Sequence, residues 1–425
     1  MTALGQAVSG KAGAGRSVTV VGAGIVGVGT GIALQRAGFT VTLVDRQDPG
    51  RATSFGNAGI LSGTTAMPLA TPGILKEVPK MLLDPLGPLT IRWSYLPKLA
   101  PWLMRFVGNA QPAKVEELSK AIVTLSKPTV AAWMDLAGHA GAEDLIERKG
   151  WVGVYEGPQA AKKAAYDVEV RVRHDIRAEM LTADEVRQLV PGLARTVTHG
   201  VFHPDAGHTV SPIRLTERLV EHFLRSGGKF VQATVQDIGF TDGRPATLVT
   251  DKGPMPFDNI VIAAGAWSKR LVARLGHNVP LETERGYHAM VADPGVDLRL
   301  PVSSSEGKFF LTPMADGIRV AGTVELAGLD AAPNWKRADA LLEKGRRLLP
   351  GMKTDKVERW LGFRPTLPDS LPVIGPSPKY GNVFFAFGHH HLGLTQSAMT
   401  GRLISQLMTG NRPEIDIHPY RVDRF

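Results

Sequence analysis

The stretch from Val18 to Asp45 constrains the chain more than any other. Val18 to Val21 is a short β-branched run, followed at once by Gly22-Ala23-Gly24-Ile25-Val26-Gly27. A helical pattern then carries Val28, Ile32, Ala33, Leu34 and Ala37 until Gly38 stops it, and a second strand, Val41 to Val44, ends at Asp45. Strand, glycine turn, helix, strand and acid, in that order, are the parts of a mononucleotide-binding βαβ unit. Gly22 permits the tight turn, Gly24 lets a pyrophosphate approach the backbone, and Gly27 lets the helix press on the sheet. The helix N-terminus, with Ile25 and Val26 in its first turn, offers free N–H groups and a positive dipole end to phosphates. Asp45 lies 21 residues after Gly24, which suits a carboxylate accepting hydrogen bonds from adenosine ribose hydroxyls, with Arg46 beside it.

This spacing does not separate NAD from FAD. It does disfavour NADP, because Asp45 would face the extra phosphate. The segment Arg51-Ala52-Thr53-Ser54-Phe55-Gly56-Asn57-Ala58-Gly59 stands where an NAD enzyme would usually continue its alternation of helix and strand. A small, polar loop of this kind supplies hydroxyls and amides to a second phosphate and to a flavin edge.

Composition narrows the classes further. The 425 residues carry no cysteine, so disulfides, thiolate metal sites, iron–sulfur clusters and cysteine nucleophiles are all excluded. That fits a reducing compartment, and a cytoplasmic location is expected. The formal net charge of +9 is spread along the chain with no polybasic run, which argues against nucleic acid and leaves anionic small substrates or a membrane surface. Residues 1–16 read as a loose, glycine-rich tail without the apolar core of a secretory signal. The uncharged windows 17–35 and 52–75 are too rich in glycine, threonine and proline to span a membrane.

From Thr53 onward the residues resemble the D-amino-acid oxidase superfamily of flavoproteins, whose second element reads Thr-Ser-x-x-Asn-Ala-Gly. Thr53, Ser54, Asn57, Ala58 and Gly59 match it. Three later segments agree: Asn259 to Ser268 with Ala264-Gly265-Ala266-Trp267, then Gly362-Phe363-Arg364-Pro365 through Gly375, then Phe384 to Thr395. The segments Leu83 to Leu89, Glu284-Arg285-Gly286-Tyr287-His288 and Ala331 to Arg337 are similar to the bacterial D-amino-acid dehydrogenase branch, which includes glyphosate oxidoreductase and hydroxyproline dehydrogenases. The resemblance implies FAD and the oxidation of a carbon–nitrogen bond, by hydride transfer from the substrate Cα to flavin N5, giving an imine that water hydrolyses. Relatives with covalent flavin use a His near the Thr-Ser loop or a Cys. Phe55 and Gly56 occupy that loop here, so dissociable, non-covalent FAD is expected.

The resemblance also directs attention to side chains. Arg364 precedes a proline, which biases it to extended backbone, and stands among Trp360, Leu361 and Phe363. A guanidinium in such a setting needs an anion, and its planar fork matches a carboxylate. In the family this arginine clamps the substrate carboxylate; the structural alternative is a bridge to Asp369. Tyr287 is expected to offer its hydroxyl to the same carboxylate, with His288 as a catalytic neighbour, although a strand tyrosine is as often core. Gly388, His389, Leu392, Gly393, Leu394 and Thr395 form a turn and helix start, expected to aim amides at the flavin. Lys308, His208 and Ser303 to Ser305 are weaker candidates for the pocket wall. No metal is expected at His389-His390-His391, because successive strand side chains point to opposite faces.

The fold expected is α/β: a Rossmann-like FAD domain from residues 17–80, 190–270 and 355–425, interleaved with an antiparallel-sheet substrate domain from 81–189 and 271–354. The substrate is expected to be a small carboxylate-bearing amine, either a D-amino acid, a proline derivative or an N-substituted glycine. Oxygen or a quinone would be the electron acceptor. Trp93, Leu96, Leu99, Trp102, Leu103 and Phe106 fall near helical spacing among Arg92, Lys98 and Arg105, which suits a peripheral contact at the inner membrane face. Pro97 and Pro101 interrupt that spacing, and a core or lid helix is the alternative. A flavin-dependent reductase or a flavin-binding protein without turnover is the other class open to such a sequence. No second Gly-x-Gly-x-x-Gly stands ready for a nicotinamide partner, and a Gly-x-Ser-x-Gly hydrolase motif is absent.

Overall fold

A computed structural model describes residues 15–73, 78 and 84–425. Most of the expected N-terminal tail, Leu83 and the expected boundary near residue 80 lie outside the described residues. The first β-branched run forms strand Ser17–Val21, the glycine turn leads into helix Ile25–Arg36, and the second run forms strand Thr40–Asp45. These build a six-stranded sheet in the order Lys229–Gln232, Thr40–Asp45, Ser17–Val21, Asn259–Ile262, Val383–Phe387, Val373–Pro376. All neighbours pair in parallel except the last. Both faces are covered: Val18, Val20 and Leu43 join one core cluster, while Val21, Val44 and Ile262 join another. That is why these strands read as continuous apolar runs rather than alternating ones.

Helix Ile25–Arg36 packs on the long helix Gly393–Met408 near the end of the chain. A Cβ on Gly401 would stand 2.7 Å from the Gly29 carbonyl oxygen, so two small residues let the backbones touch. Gly31, outside the turn itself, makes room for the Phe223 ring in the same way.

The second sheet is mixed, mostly antiparallel, and carries nine strands. Its path runs Lys356–Thr366, Glu282–Ala292, Gly317–Leu326, Phe309–Met314, Val302–Ser304, Trp151–Glu156, Val197–His203, Glu179–Thr182, with Leu89–Ile91 attached beside Gly317–Leu326. The partition therefore differs from the expected boundaries. Strands Val197–His203 and Lys356–Thr366 belong to this sheet, while helices Pro112–Ser126 and Thr129–Ala140 pack their Leu118, Ile122 and Trp133 into the core of the parallel sheet. A strand's own pattern says that it is half-buried, not which sheet it will join.

The proline-bearing stretch also differs from expectation. Helix Leu96–Gly108 runs through Pro97 and Pro101. Pro97 falls in the first turn, where no donor is needed, and Pro101 forfeits one bond only. Leu99 and Trp102 bury against Ile91 and Leu326, so part of the apolar stripe is core. Its outer side leaves Trp93 71%, Met104 69% and Val107 40% exposed.

Three of the sequence segments lock together behind the second sheet. Arg337, fully buried, donates to the carbonyl oxygens of Pro85, Gly87 and Val324 and to Thr90 Oγ1. The Asn334 amide donates to the Tyr287 hydroxyl at 2.9 Å. Removing the guanidinium strands buried carbonyls without donors. Arg337→Ala is expected to destabilise the protein by about 3 kcal/mol and to lower the thermal midpoint by several degrees; an unchanged midpoint would show these contacts to be incidental.

Candidate active site

The turn after the first strand works as its glycines require. Gly22 has φ of 110°, and a Cβ there would stand 2.3 Å from the Ala263 carbonyl oxygen. A Cβ on Gly27 would stand 1.9 Å from the Gly22 carbonyl oxygen, so only glycine lets the helix sit this close. Asp45 Oδ2 accepts from the Ala23 amide at 2.8 Å and Oδ1 from the Gln47 amide at 3.1 Å, which holds the carboxylate at the strand end. No acidic residue stands in the first turn of the helix, and Gly24 offers no side chain to cap it; apart from the Ile25 amide, which bonds Ser54 Oγ, the positive dipole end faces the cavity.

A cavity of about 990 Å³ lies over this turn. Gly22, Gly24, Asp45 and Arg46 line one wall, and Ala264, Gly265 and Trp267 line another. The Arg46 guanidinium lies 4.0 Å from the Trp267 ring centroid and braces that end by a cation–π contact. Ile25, Val26, Thr53 and Ser54 also border a second cavity of about 580 Å³. That cavity ends against Leu392, Gly393, Leu394 and Thr395, where the helix Gly393–Met408 begins without a side-chain cap. Two adjoining cavities with an open helix N-terminus at the first turn and another at the far end suit a long cofactor with a central diphosphate and an electron-accepting ring. The residues present thus fit FAD.

The loop between the cavities is held from several sides. Ser54 Oγ accepts from the Ile25 amide at 2.9 Å, and Thr53 Oγ1 donates to the Phe363 carbonyl at 3.0 Å. Asn57 donates through Nδ2 to the Ser54 carbonyl and accepts through Oδ1 from the Gly59 amide. Asn57 and Ala58 line the second cavity, while Gly59 stands behind it, its carbonyl accepting from Thr209. Arg319 escaped the sequence reading; it donates to the carbonyl oxygens of Phe55 and Asn57.

Strands Glu282–Ala292 and Lys356–Thr366 form an eleven-residue antiparallel ladder in which Glu284 faces Arg364, Gly286 faces Gly362 and His288 faces Trp360. Residues of equal parity share a face, so these six side-chain positions look the same way. Arg364 is half-buried and lies flat over Gly286: a Cβ there would stand 2.2 Å from Arg364 Nη2. Its Nη1 donates to the Thr323 carbonyl at 2.8 Å and Nη2 reaches the Gly322 carbonyl at 3.4 Å. The remaining N–H groups open onto the second cavity, which Arg364 lines. Asp369, the alternative partner, is instead taken by Arg424 at 2.7 Å.

Tyr287 has the opposite parity. Its hydroxyl donates to Glu325 Oε2 at 2.7 Å behind the sheet, although the residue contributes to the cavity wall. Burial and that bond push the Tyr287 pKa up to about 12. The structure therefore does not bring the Tyr287 hydroxyl to the Arg364 guanidinium. His288 faces the loop, stacks on Trp360 at 5.1 Å and donates through Nδ1 to the Gly56 carbonyl at 3.0 Å. Burial pushes its pKa down to about 3, so the ring is neutral and holds the loop.

The closing turn divides in a similar way. Gly388 and His389 stand behind the cavity: a Cβ on Gly388 would meet Leu367, and His389 Nε2 bonds Thr400 Oγ1. His390 and His391 line the cavity instead. Thr395 Oγ1 donates to the Ile60 carbonyl and accepts from the Ser62 amide, fixing the helix start. Lys308 and Ser303 to Ser305 lie at the far wall with Trp151, whereas His208 is buried in a small sheet away from it. Among the described residues no group of three His, Asp or Glu side chains is placed to hold a metal ion.

Comparisons with known proteins give the family and the fold. Residues 17–407 match the family model described as FAD dependent oxidoreductase. A D-amino-acid oxidase of Bradyrhizobium diazoefficiens is 41% identical over 97% of this chain and 99% of that protein. A D-amino acid dehydrogenase of Paramagnetospirillum magneticum is 31% identical over 96% and 98%. Among solved structures, glycine oxidase from Geobacillus kaustophilus superposes with a TM-score of 0.74 at 20% identity, covering 96% of this chain and 99% of that one.

Gly286→Ala tests the Arg364 geometry. The added methyl group is expected to displace the guanidinium and to weaken binding of a small carboxylate, followed by calorimetry, by about tenfold or more. Unchanged affinity would place the carboxylate elsewhere.

Proposed function

The chain belongs to the FAD dependent oxidoreductase family, and from that premise we propose that it is an enzyme oxidising the carbon–nitrogen bond of an amino acid. Relatives named D-amino-acid oxidase and D-amino acid dehydrogenase, matched over nearly the whole chain, support an amino acid as substrate. The observation that carries the reading is Arg364, a half-buried guanidinium bonded only to backbone carbonyls among the described residues and open to a cavity that ends at a helix N-terminus.

FAD is held without a covalent link. Gly22, Gly24 and the start of helix Ile25–Arg36 would hold the diphosphate, Asp45 the ribose, and Gly393 to Thr395 the flavin ring. When bound there, the flavin would supply the two-electron acceptor for the hydride of the substrate Cα. Arg364 receives the substrate carboxylate and so fixes the Cα, and this positioning is the main contribution of the protein. Water hydrolyses the resulting imine to an oxo acid. The far wall, with Trp151, Tyr155 and Ser303 to Ser305, faces the substrate side chain.

Adding amino acids without air should bleach the yellow wild-type protein. Arg364→Ala should keep the bound-flavin spectrum but lose about a hundredfold or more in reduction efficiency; normal kinetics would remove the clamp role. Acid precipitation of the same material should leave a colourless pellet under a yellow supernatant.

Oxygen or a quinone takes the electrons onward. A peripheral membrane contact is supported by exposed Trp93, Met104 and Val107 beside the exposed cations Arg92, Lys98 and Arg105. Among the described residues no helix is long and apolar enough to cross a membrane. The lack of cysteine supports a cytoplasmic enzyme at the inner face. Flotation with anionic liposomes, lost in a Trp93→Ser/Met104→Ser double variant, is the expected result; protein that stays at the bottom of the gradient removes the contact.

A further inference from the structure

Glu284 is an acid in a place where an acid is costly. It is 4% exposed, and carboxylates are seldom buried without a partner. It stands directly opposite Arg364 in the ladder, on the same face, and both line the second cavity. Cross-strand neighbours of this kind are within side-chain reach, yet the guanidinium is drawn aside over Gly286 to the Thr323 carbonyl. A cation and an anion thus border one cavity side by side, with their remaining bonding capacity turned to whatever enters it.

One oxygen of Glu284 is fixed. Oε1 accepts from Thr366 Oγ1 at 3.0 Å, and Thr366 Oγ1 in turn lies 2.8 Å from His390 Nδ1. His390 Nε2 lies 2.9 Å from the Leu367 carbonyl, to which it donates, so the turn before the closing helix holds this ring and Thr366 in place beside Glu284. The groups facing Glu284 are Arg364 from the neighbouring strand and His390 and His391 from the turn before the closing helix. Burial pushes the His390 pKa down to about 4, so it is a neutral donor near neutral pH.

We propose that Glu284 receives the ammonium group of the substrate and takes one proton from it, while Arg364 holds the carboxylate. This rests on the amino-acid reading above and adds the residue that recognises the amine. The free ammonium keeps its proton at neutral pH, and its nitrogen has no lone pair to form a C=N bond. On transfer, one N–H bond breaks, its electron pair stays on nitrogen, and an O–H bond forms on the Glu284 carboxylate. That lone pair becomes the second bond to carbon as hydride leaves Cα for the two-electron acceptor, the flavin of this family. The proton on Glu284 returns to solvent after the product departs.

The FAD-loaded protein tests this with two ligands that cannot be oxidised at an α-hydrogen bearing an amine: 2-aminoisobutyrate, with both charges, and isobutyrate, with the carboxylate alone. Wild type should bind 2-aminoisobutyrate tighter by about tenfold or more, read from perturbation of the flavin spectrum. Glu284→Gln should keep isobutyrate binding and lose that preference. Its anaerobic reduction by an amino-acid substrate should fall about a hundredfold at neutral pH and recover as pH approaches the substrate's ammonium pKa. A wild-type pH profile in Glu284→Gln, or a retained preference, overturns the proposal. Should that variant fail to hold FAD, wild type still decides, since no preference for 2-aminoisobutyrate over isobutyrate overturns it too. Failure of every amino acid to bleach wild type would instead sink the amino-acid reading itself.

Discussion

The structure depends first on backbone contacts that tolerate no side chain. Gly27 meets the Gly22 carbonyl, Gly22 meets the Ala263 carbonyl, and Gly401 meets Gly29, each closer than a Cβ permits. Together they press the first helix onto the first strand and the last helix onto the first. The consequence is electrostatic as much as steric. Two helix N-termini, at Ile25 and Gly393, end at adjoining cavities, and their dipole ends supply positive potential where a diphosphate and an electron-accepting ring would lie.

A second constraint is the ladder between Glu282–Ala292 and Lys356–Thr366. Along it the facing pair Gly286 and Gly362 leaves a gap in an otherwise bulky face. Arg364 folds into that gap, and Trp360 packs where a Cβ on Gly362 would clash. The same strand pair braces the loop between the two cavities through His288, which donates to the Gly56 carbonyl, and through the Phe363 carbonyl, which accepts from Thr53. That loop and the wall that holds Arg364 thus rest on one strand pair. Displacing the ladder would disturb both.

Backbone strain gathers at this place. Among the described residues, seven non-glycine positions have positive φ, and Thr323, Lys308 and His390 of that group line the second cavity. Thr323, with φ of 62°, sits in the register shift between the pairs Arg285–Glu325 and Tyr287–Gly322 and presents its carbonyl to Arg364. A β-branched residue in that region costs on the order of 1–3 kcal/mol. Bulges recur beside active sites because they re-aim one group; here the group is a carbonyl that holds a guanidinium.

The βαβ unit, the Thr-Ser loop and Arg364 as a candidate for the cavity wall were legible in the sequence because each rests on neighbours close along the chain or on a residue type with few other uses. Asp45 at the strand end and Gly24 at the turn follow from local spacing alone. Glu284 and Tyr287 were not separable in the same way. Both lie in Glu-Arg-Gly-Tyr-His, but which of them shares a face with Arg364 depends on the register between strands some eighty residues apart, and a shift of one residue would exchange them. The same holds for His389 and His390, where a turn with φ of 53° at His390 decides which ring reaches the cavity. Chemistry carried by contiguous residues was therefore written in the sequence, whereas chemistry made by juxtaposed strands waited for the fold, because side-chain direction alternates and only pairing sets its phase.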